Sequence, residues 1–193
     1  MASLLRAYNA ALIRRPYAAS MATSAVLFGG GDLIAQQAIE KKGLQAHDWA
    51  RTARLTFYGG VFFGPAMTKW YQILNRIKFL NPTKATIYRV ALDQGVLTPG
   101  VVAFFFTSMT FLEGKGVNEA KERLEKAYQP TLLRNWCVFV PTQIINFALV
   151  PHHLRFVVVS VVSLFWNTYL SAVNAQQTAV EDTPIEAEMV KLQ

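Results

Sequence analysis

One cysteine, Cys137, stands alone in 193 residues, so no intramolecular disulfide can form and no cysteine-rich metal site exists. Charge is scarce as well. Asp, Glu, Lys and Arg make up 16% of the chain, against roughly a quarter in ordinary soluble domains. No Ser/His/Asp nucleophile arrangement is recognisable. Gly29-Gly30-Gly31 follows no strand and precedes no Lys-Ser/Thr pair, which a phosphate-binding P-loop requires. His152 and His153 are adjacent, so on a regular element they diverge and cannot chelate one metal. Beside Arg155 they are read as meeting lipid headgroups or as weak pH sensors. These absences exclude a soluble enzyme with a linear catalytic motif, and the chain is expected to be no enzyme and to use no cofactor or metal.

The first sixteen residues hold three arginines and no acid, and the first acid is Asp32. Leu5, Tyr8 and Leu12 recur at helical spacing, so this segment reads as an amphipathic helix of mitochondrial targeting type. The net charge of +7 is unevenly spread. Residues 1–89 carry 12 basic and 3 acidic side chains (+9), and residues 90–193 carry 7 and 9 (−2). The basic residues sit in short clusters beside apolar runs, which is how membrane proteins flank their spans. No basic stripe with interleaved aromatics forms a continuous face, so no direct nucleic-acid partner is expected.

Hydrophobic residues account for 52% of the chain, gathered into runs near the roughly 20 residues that cross a hydrocarbon core. Tyr17 to Ile39 has Asp32 as its only charge, and Val90 to Leu112 has Asp93. Thr52 to Ile73 has Lys69 near its end, where a long side chain can snorkel. Phe156 to Val173 is uncharged. Between them, residues 113–134 read as an amphipathic surface helix. Trp136 to Val150 reads as either a re-entrant half-helix or a fifth span. The expected fold class is an all-α integral membrane helical bundle of four transmembrane helices, five if 136–150 crosses. Its organisation is a lead-in segment 1–16, one membrane domain 17–173 and a disordered polar tail 174–193.

Six polar residues lie in these runs: Asp32, Gln36, Asp93, Gln94, Gln143 and Asn146. A carboxylate at membrane depth costs several kcal/mol unless it faces protein or water. Asp32 and Gln36 are four apart and share a helical face. Two readings stand. Asp32, Gln36, Asp93 and Asn146 line a polar path for small solutes or ions, or they are hydrogen-bonding glue between helices, with Asp93 paired locally to Arg89. Gly29-Gly30-Gly31 and the Gly60-to-Gly64 GxxxG read as close helix packing, and Cys137 reads as a core residue.

An ordered set of strings runs through the chain: Arg6-Ala7-Tyr8, Gly31-Asp32 with Gln36-Gln37, Arg51-Thr52, Gly64-Pro65, Trp70-Tyr71 and Leu92-Asp93-Gln94. Gln143 with Asn146-Phe147 and Val150-Pro151 follow, then Arg155, and last Trp166-Asn167-Thr168-Tyr169-Leu170-Ser171. The set resembles the Mpv-seventeen and peroxisomal membrane protein two/four family, nearest in pattern to its stress-inducible fungal mitochondrial members. A Trp-Pro pair frequent in that family is replaced by Phe139-Val140, with proline at Pro141. The resemblance implies a small multi-pass protein of the mitochondrial inner membrane, with the peroxisomal membrane as the alternative. It also implies channel activity, control of membrane potential, nucleotide supply for mitochondrial DNA maintenance, and stress tolerance. The rival expectation is a non-conducting scaffold that organises membrane complexes. The bilayer and a small solute are the expected partners, with a homo-oligomer or larger membrane complex possible on either reading. The resemblance carries no agreed set of ligand residues.

Overall fold

A computed structural model describes residues 2–150 and 155–181; His152, His153 and residues 182–193 of the expected tail lie outside them. Among the described residues the chain is all-α. It comprises α1 (Ala2–Arg14), α2 (Pro16–Ile34), α3 (Trp49–Phe57), α4 (Gly64–Arg76), α5 (Pro82–Leu92), α6 (Thr98–Leu112), α7 (Val117–Leu149) and α8 (Arg155–Glu181). Three π-helical turns are interleaved: Ala35–Ile39 extends α2, Tyr58–Phe63 joins α3 to α4, and Asp93–Leu97 joins α5 to α6. Two of the composite helices, Pro16–Ile39 and Pro82–Leu112, are long and apolar enough to cross a membrane. The apolar part of α8, Val161–Val173, is shorter.

Two of the π turns have a legible cause. Gly64-Pro65 follows one of them and Thr98-Pro99 begins the segment after another. Proline lacks the N–H that would bond four residues back and crowds that carbonyl. One extra residue per turn relieves the clash and frees carbonyls for other donors. At the third turn the Asp93 carbonyl keeps the Thr98 backbone N–H and gains its hydroxyl at 3.0 Å, while the Gln94 carbonyl, for which Pro99 has no N–H, accepts from Trp136 Nε1 at 2.8 Å.

α2 packs against α3, α4, α8 and the Tyr58–Phe63 turn, while α7 packs against α5, α6 and α8. Phe28, Leu55, Tyr58, Phe105, Phe106, Met109 and Trp166 form the main core. The small residues expected to pack closely do so. A Cβ on Gly64 would lie 2.8 Å from the Ser20 carbonyl oxygen, and one on Gly31 would lie 2.9 Å from Asn167 Cβ.

Several expectations are corrected. The amphipathic stretch 113–134 and the apolar stretch 136–150 are not separate pieces. From Val117 they form the single helix α7, which runs through Pro130 and Pro141 without a break. α8 continues to Glu181, past the position where the polar tail was expected, because Ala and Gln in that stretch are tolerant helix formers. Cys137 is exposed, on the outer face of α7. α1 is the expected N-terminal helix, and it folds back on α2 through a 3.0 Å hydrogen bond between the Tyr8 and Thr23 hydroxyls.

Candidate functional site

The polar residues of the apolar runs fall into two clusters. The first centres on Asp32, which is fully buried. Arg51 Nε lies 2.7 Å from Asp32 Oδ1. Ser171 Oγ donates to the same oxygen, and Gln36 Nε2 donates to Oδ2 at 2.8 Å, beside the Thr52 hydroxyl. Arg51 also donates to both oxygens of Glu40, at 2.6 and 3.1 Å, and to the Ser171 carbonyl at 3.1 Å. One buried guanidinium thus ties α3 to α2 and α8, flanked by two carboxylates. Burial works to raise the carboxyl pKa of Glu40, but the hydrogen bonds and charges of Arg51 and Lys42 outweigh it and hold the group below its ordinary value. His47 closes the cluster on the loop side. Its Nε2 lies 2.9 Å from Thr52 Oγ1 and its Nδ1 3.0 Å from Gln37 Nε2.

The second cluster centres on Asp93 and differs in kind. Trp70 Nε1 donates to Oδ1 at 2.9 Å. Gln94 Nε2 and Gln143 Nε2 donate to Oδ2 at 2.6 and 2.9 Å. None of these donors carries a charge. Gln143 Nε2 also contacts the Tyr71 hydroxyl at 3.0 Å, and its Oε1 accepts from Asn146 Nδ2 at 3.1 Å. The expected local pair between Arg89 and Asp93 does not form. Arg89 turns instead to the end of α4, donating to the Leu74 and Ile77 carbonyls at 3.2 and 2.8 Å.

Asp93, Gln94 and Gln143 open onto a cavity of about 80 Å³, walled by Phe28, Tyr58, Phe105 and Trp166 and by the polar side chains of Thr98, Asn135, Ser163 and Asn167. One water needs roughly 10–15 Å³, so the space holds several. Three buried polar atoms on its lining residues have no hydrogen-bond partner: Gln94 Oε1, Asn135 Oδ1 and Asn167 Nδ2. Buried amides are normally satisfied, and each exception calls for water, an ion or a ligand. Among the residues expected to line a path, Asp93 borders this cavity. Asp32 and Gln36 belong to the Arg51 cluster, and Asn146 sits behind Gln143.

Sequence reasoning missed Arg51, Thr52 and Ser171 as partners of Asp32, and Asn135, Ser163 and Asn167 as cavity walls. A signal was present. Arg51-Thr52 and Asn167 to Ser171 belong to the ordered strings that carry the family resemblance, and those strings are what the fold gathers into the two clusters.

Residues 110–171 match the model of the Mpv17 / PMP22 family. The chain is 43% identical over 178 residues to Protein SYM1 of Gibberella zeae, covering 91% of this chain and 100% of that one. It is 37% identical over 188 residues to Protein SYM1 of Saccharomyces cerevisiae, covering 94% and 95%. This chain belongs to the Mpv17 / PMP22 family. A zebrafish member, Mitochondrial inner membrane protein Mpv17 of Danio rerio, is 34% identical over 171 residues, covering 89% of this chain and 97% of that one. No solved structure matches. Kinship at this level, with the apolar helices, places the family member described here in the mitochondrial inner membrane, as the sequence led one to expect.

Proposed function

We propose that the bundle provides a regulated passage for small solutes or ions across the inner membrane, running through the cavity beside Asp93. Its role would be to modulate membrane potential and to support the nucleotide pool and stress tolerance of the organelle. Four segments would span: the composite helices 16–39, 49–76 and 82–112, and α8. α7 would insert its C-terminal half between them. The observation that carries this reading is the cavity itself: a buried carboxylate held only by neutral donors, on a lining that includes three buried amide atoms without hydrogen-bond partners.

Magnitude limits how such a passage can behave. Moving one charge through 100 mV releases roughly 2.3 kcal/mol, so a permanently open wide pore would collapse the potential. A cavity of about 80 Å³ has room for a few waters, and on this reading its opening must be gated. The competing reading, a non-conducting scaffold, draws on the Asp32 cluster, where the carboxylates and Arg51 are mutually paired. Purified full-length protein in planar bilayers separates the two. Discrete currents are expected; silence across voltage, pH and redox conditions from folded protein would favour the scaffold.

A further inference from the structure

The cavity beside Asp93 is one-sided both in charge and in hydrogen bonding. Asp93 is the one charged side chain among its described lining residues, and no Lys, Arg or His is among them. The carboxylate is buried, and every hydrogen bond to its two oxygens comes from a neutral N–H, of Trp70, Gln94 or Gln143. A protonated carboxyl would need an acceptor for its own hydrogen, and these partners present donors. A buried charge is costly unless it is matched by an opposite one, so the lining favours an occupant with positive charge.

The neutral residues of the lining favour the same occupant. Gln94 Oε1 and Asn135 Oδ1 are buried oxygens that no donor reaches. The two residues are held at one place in the fold. Trp136, next to Asn135 on α7, donates its indole N–H to the Gln94 carbonyl at 2.8 Å, which fastens α7 to the π turn that carries Asp93. Thr98 Oγ1 spends its hydrogen on the Asp93 carbonyl and keeps its oxygen as an acceptor. Phe28, Tyr58, Phe105 and Trp166 form much of the remaining wall, and aromatic rings attract cations over their faces.

We infer that this cavity is a binding site for one small monovalent cation, partly stripped of water and held by the Asp93 carboxylate and the side-chain oxygens of Gln94 and Asn135. The inference rests on the reading of the cavity as part of a passage, and it names the class of ion that occupies it. One carboxylate balances one positive charge, whereas a dedicated calcium site gathers several carboxylate and carbonyl oxygens and magnesium gives up its water reluctantly. Amide oxygens can replace part of the hydration shell of a monovalent ion, as carbonyls do in selectivity filters. A volume of about 80 Å³ leaves room for the ion and a few waters. One of those waters meets Asn167 Nδ2, the unpartnered donor of the lining. An anion would face the like charge of Asp93, and a neutral solute would leave that charge unbalanced.

The test follows thermal unfolding of the full chain in neutral detergent, in chlorides of potassium, sodium, ammonium, methylammonium and the bulky N-methyl-D-glucamine at matched ionic strength. At least one small cation is expected to raise the midpoint saturably, by several degrees over N-methyl-D-glucamine. A rise with potassium or sodium supports the inference with a metal ion as occupant, and a rise confined to ammonium and methylammonium supports it with a protonated amine. Asn135→Leu removes an oxygen that no protein donor satisfies, so the variant should fold, and its apparent affinity should fall about tenfold. Asp93→Asn should abolish the shift, and Gly100→Ala, with open space around it, should keep it. Equal midpoints in all the salts, a shift unchanged in Asn135→Leu or Asp93→Asn, or a larger shift from magnesium or calcium at lower concentration would overturn the inference. Bilayer recording separates it from the proposed passage. A saturable shift in protein that passes no current keeps the ion site and overturns the passage, while currents from protein without the shift keep the passage and overturn the ion site.

Discussion

Asp32 and Asp93 are each the lone charge of an apolar run, yet Asp32 faces a guanidinium while Asp93 faces an indole and two amides. That difference assigns them different consequences when each carboxylate is replaced by an amide. Asp32→Asn removes one arm of a buried ion pair and leaves Arg51 with Glu40 alone. Breaking a buried pair typically costs about 3–5 kcal/mol, so the thermal midpoint of the detergent-purified variant should fall by many degrees; an unchanged midpoint would show that Asp32 does not anchor the bundle. Glu40 gives a pH dependence of definite sign. Its folded-state pKa lies below the ordinary value of 4.5. The stability it contributes is therefore fully present above that value and is lost as pH falls through the lower folded one. Melting curves should accordingly lose stability more steeply below pH 4.5 in the wild type than in Glu40→Gln. Parallel curves would mean that Arg51 does not favour the Glu40 carboxylate. The sequence showed both aspartates as costly and inward-facing. It did not show which had a cation, because Arg51 is 19 positions from Asp32 in sequence and reaches it only once α3 lies on α2.

Helix positions were legible from the apolar runs, and the close packing at Gly31 and Gly64 from their small side chains. The composite nature of the helices was not. Gly64-Pro65 and Thr98-Pro99 could be read from the sequence as interruptions, but whether a proline ends a helix or is absorbed by a π turn depends on which donors reach the freed carbonyls. Trp136, on another helix, is one of those donors. The continuity of α7 was likewise hidden, since its mixed-charge and apolar halves have opposite patterns and only packing against α5, α6 and α8 unites them. At this scale the Gly64 contact is the sharpest prediction. A methyl group there meets backbone atoms of Ser20 and Met21 at 2.8–3.0 Å, which no rotamer change relieves. Overpacking of this kind costs roughly 1–3 kcal/mol. Gly64→Ala should lower thermal stability by that amount, while Gly100→Ala, with open space around it, should not; equal effects would mean that α2 and α4 can separate freely.

Across the whole molecule, the basic excess of residues 1–89 is put to distinct uses. Arg51 is buried in the Asp32 cluster. Arg89 holds the carbonyls of Leu74 and Ile77 at the end of α4. The apolar core encloses a cavity whose one carboxylate among the described lining residues, Asp93, is held by neutral donors. The molecule thus separates a sealed charge cluster that holds helices together from an incompletely satisfied polar site that something else must complete. Whether Asp93 lies on a conduction path is read from planar-bilayer currents of wild type, Asp93→Asn and Gly100→Ala, each shown to be folded. Reduced cation preference or altered conductance in Asp93→Asn alone is the expected result. Conductance and selectivity identical in all three would contradict it.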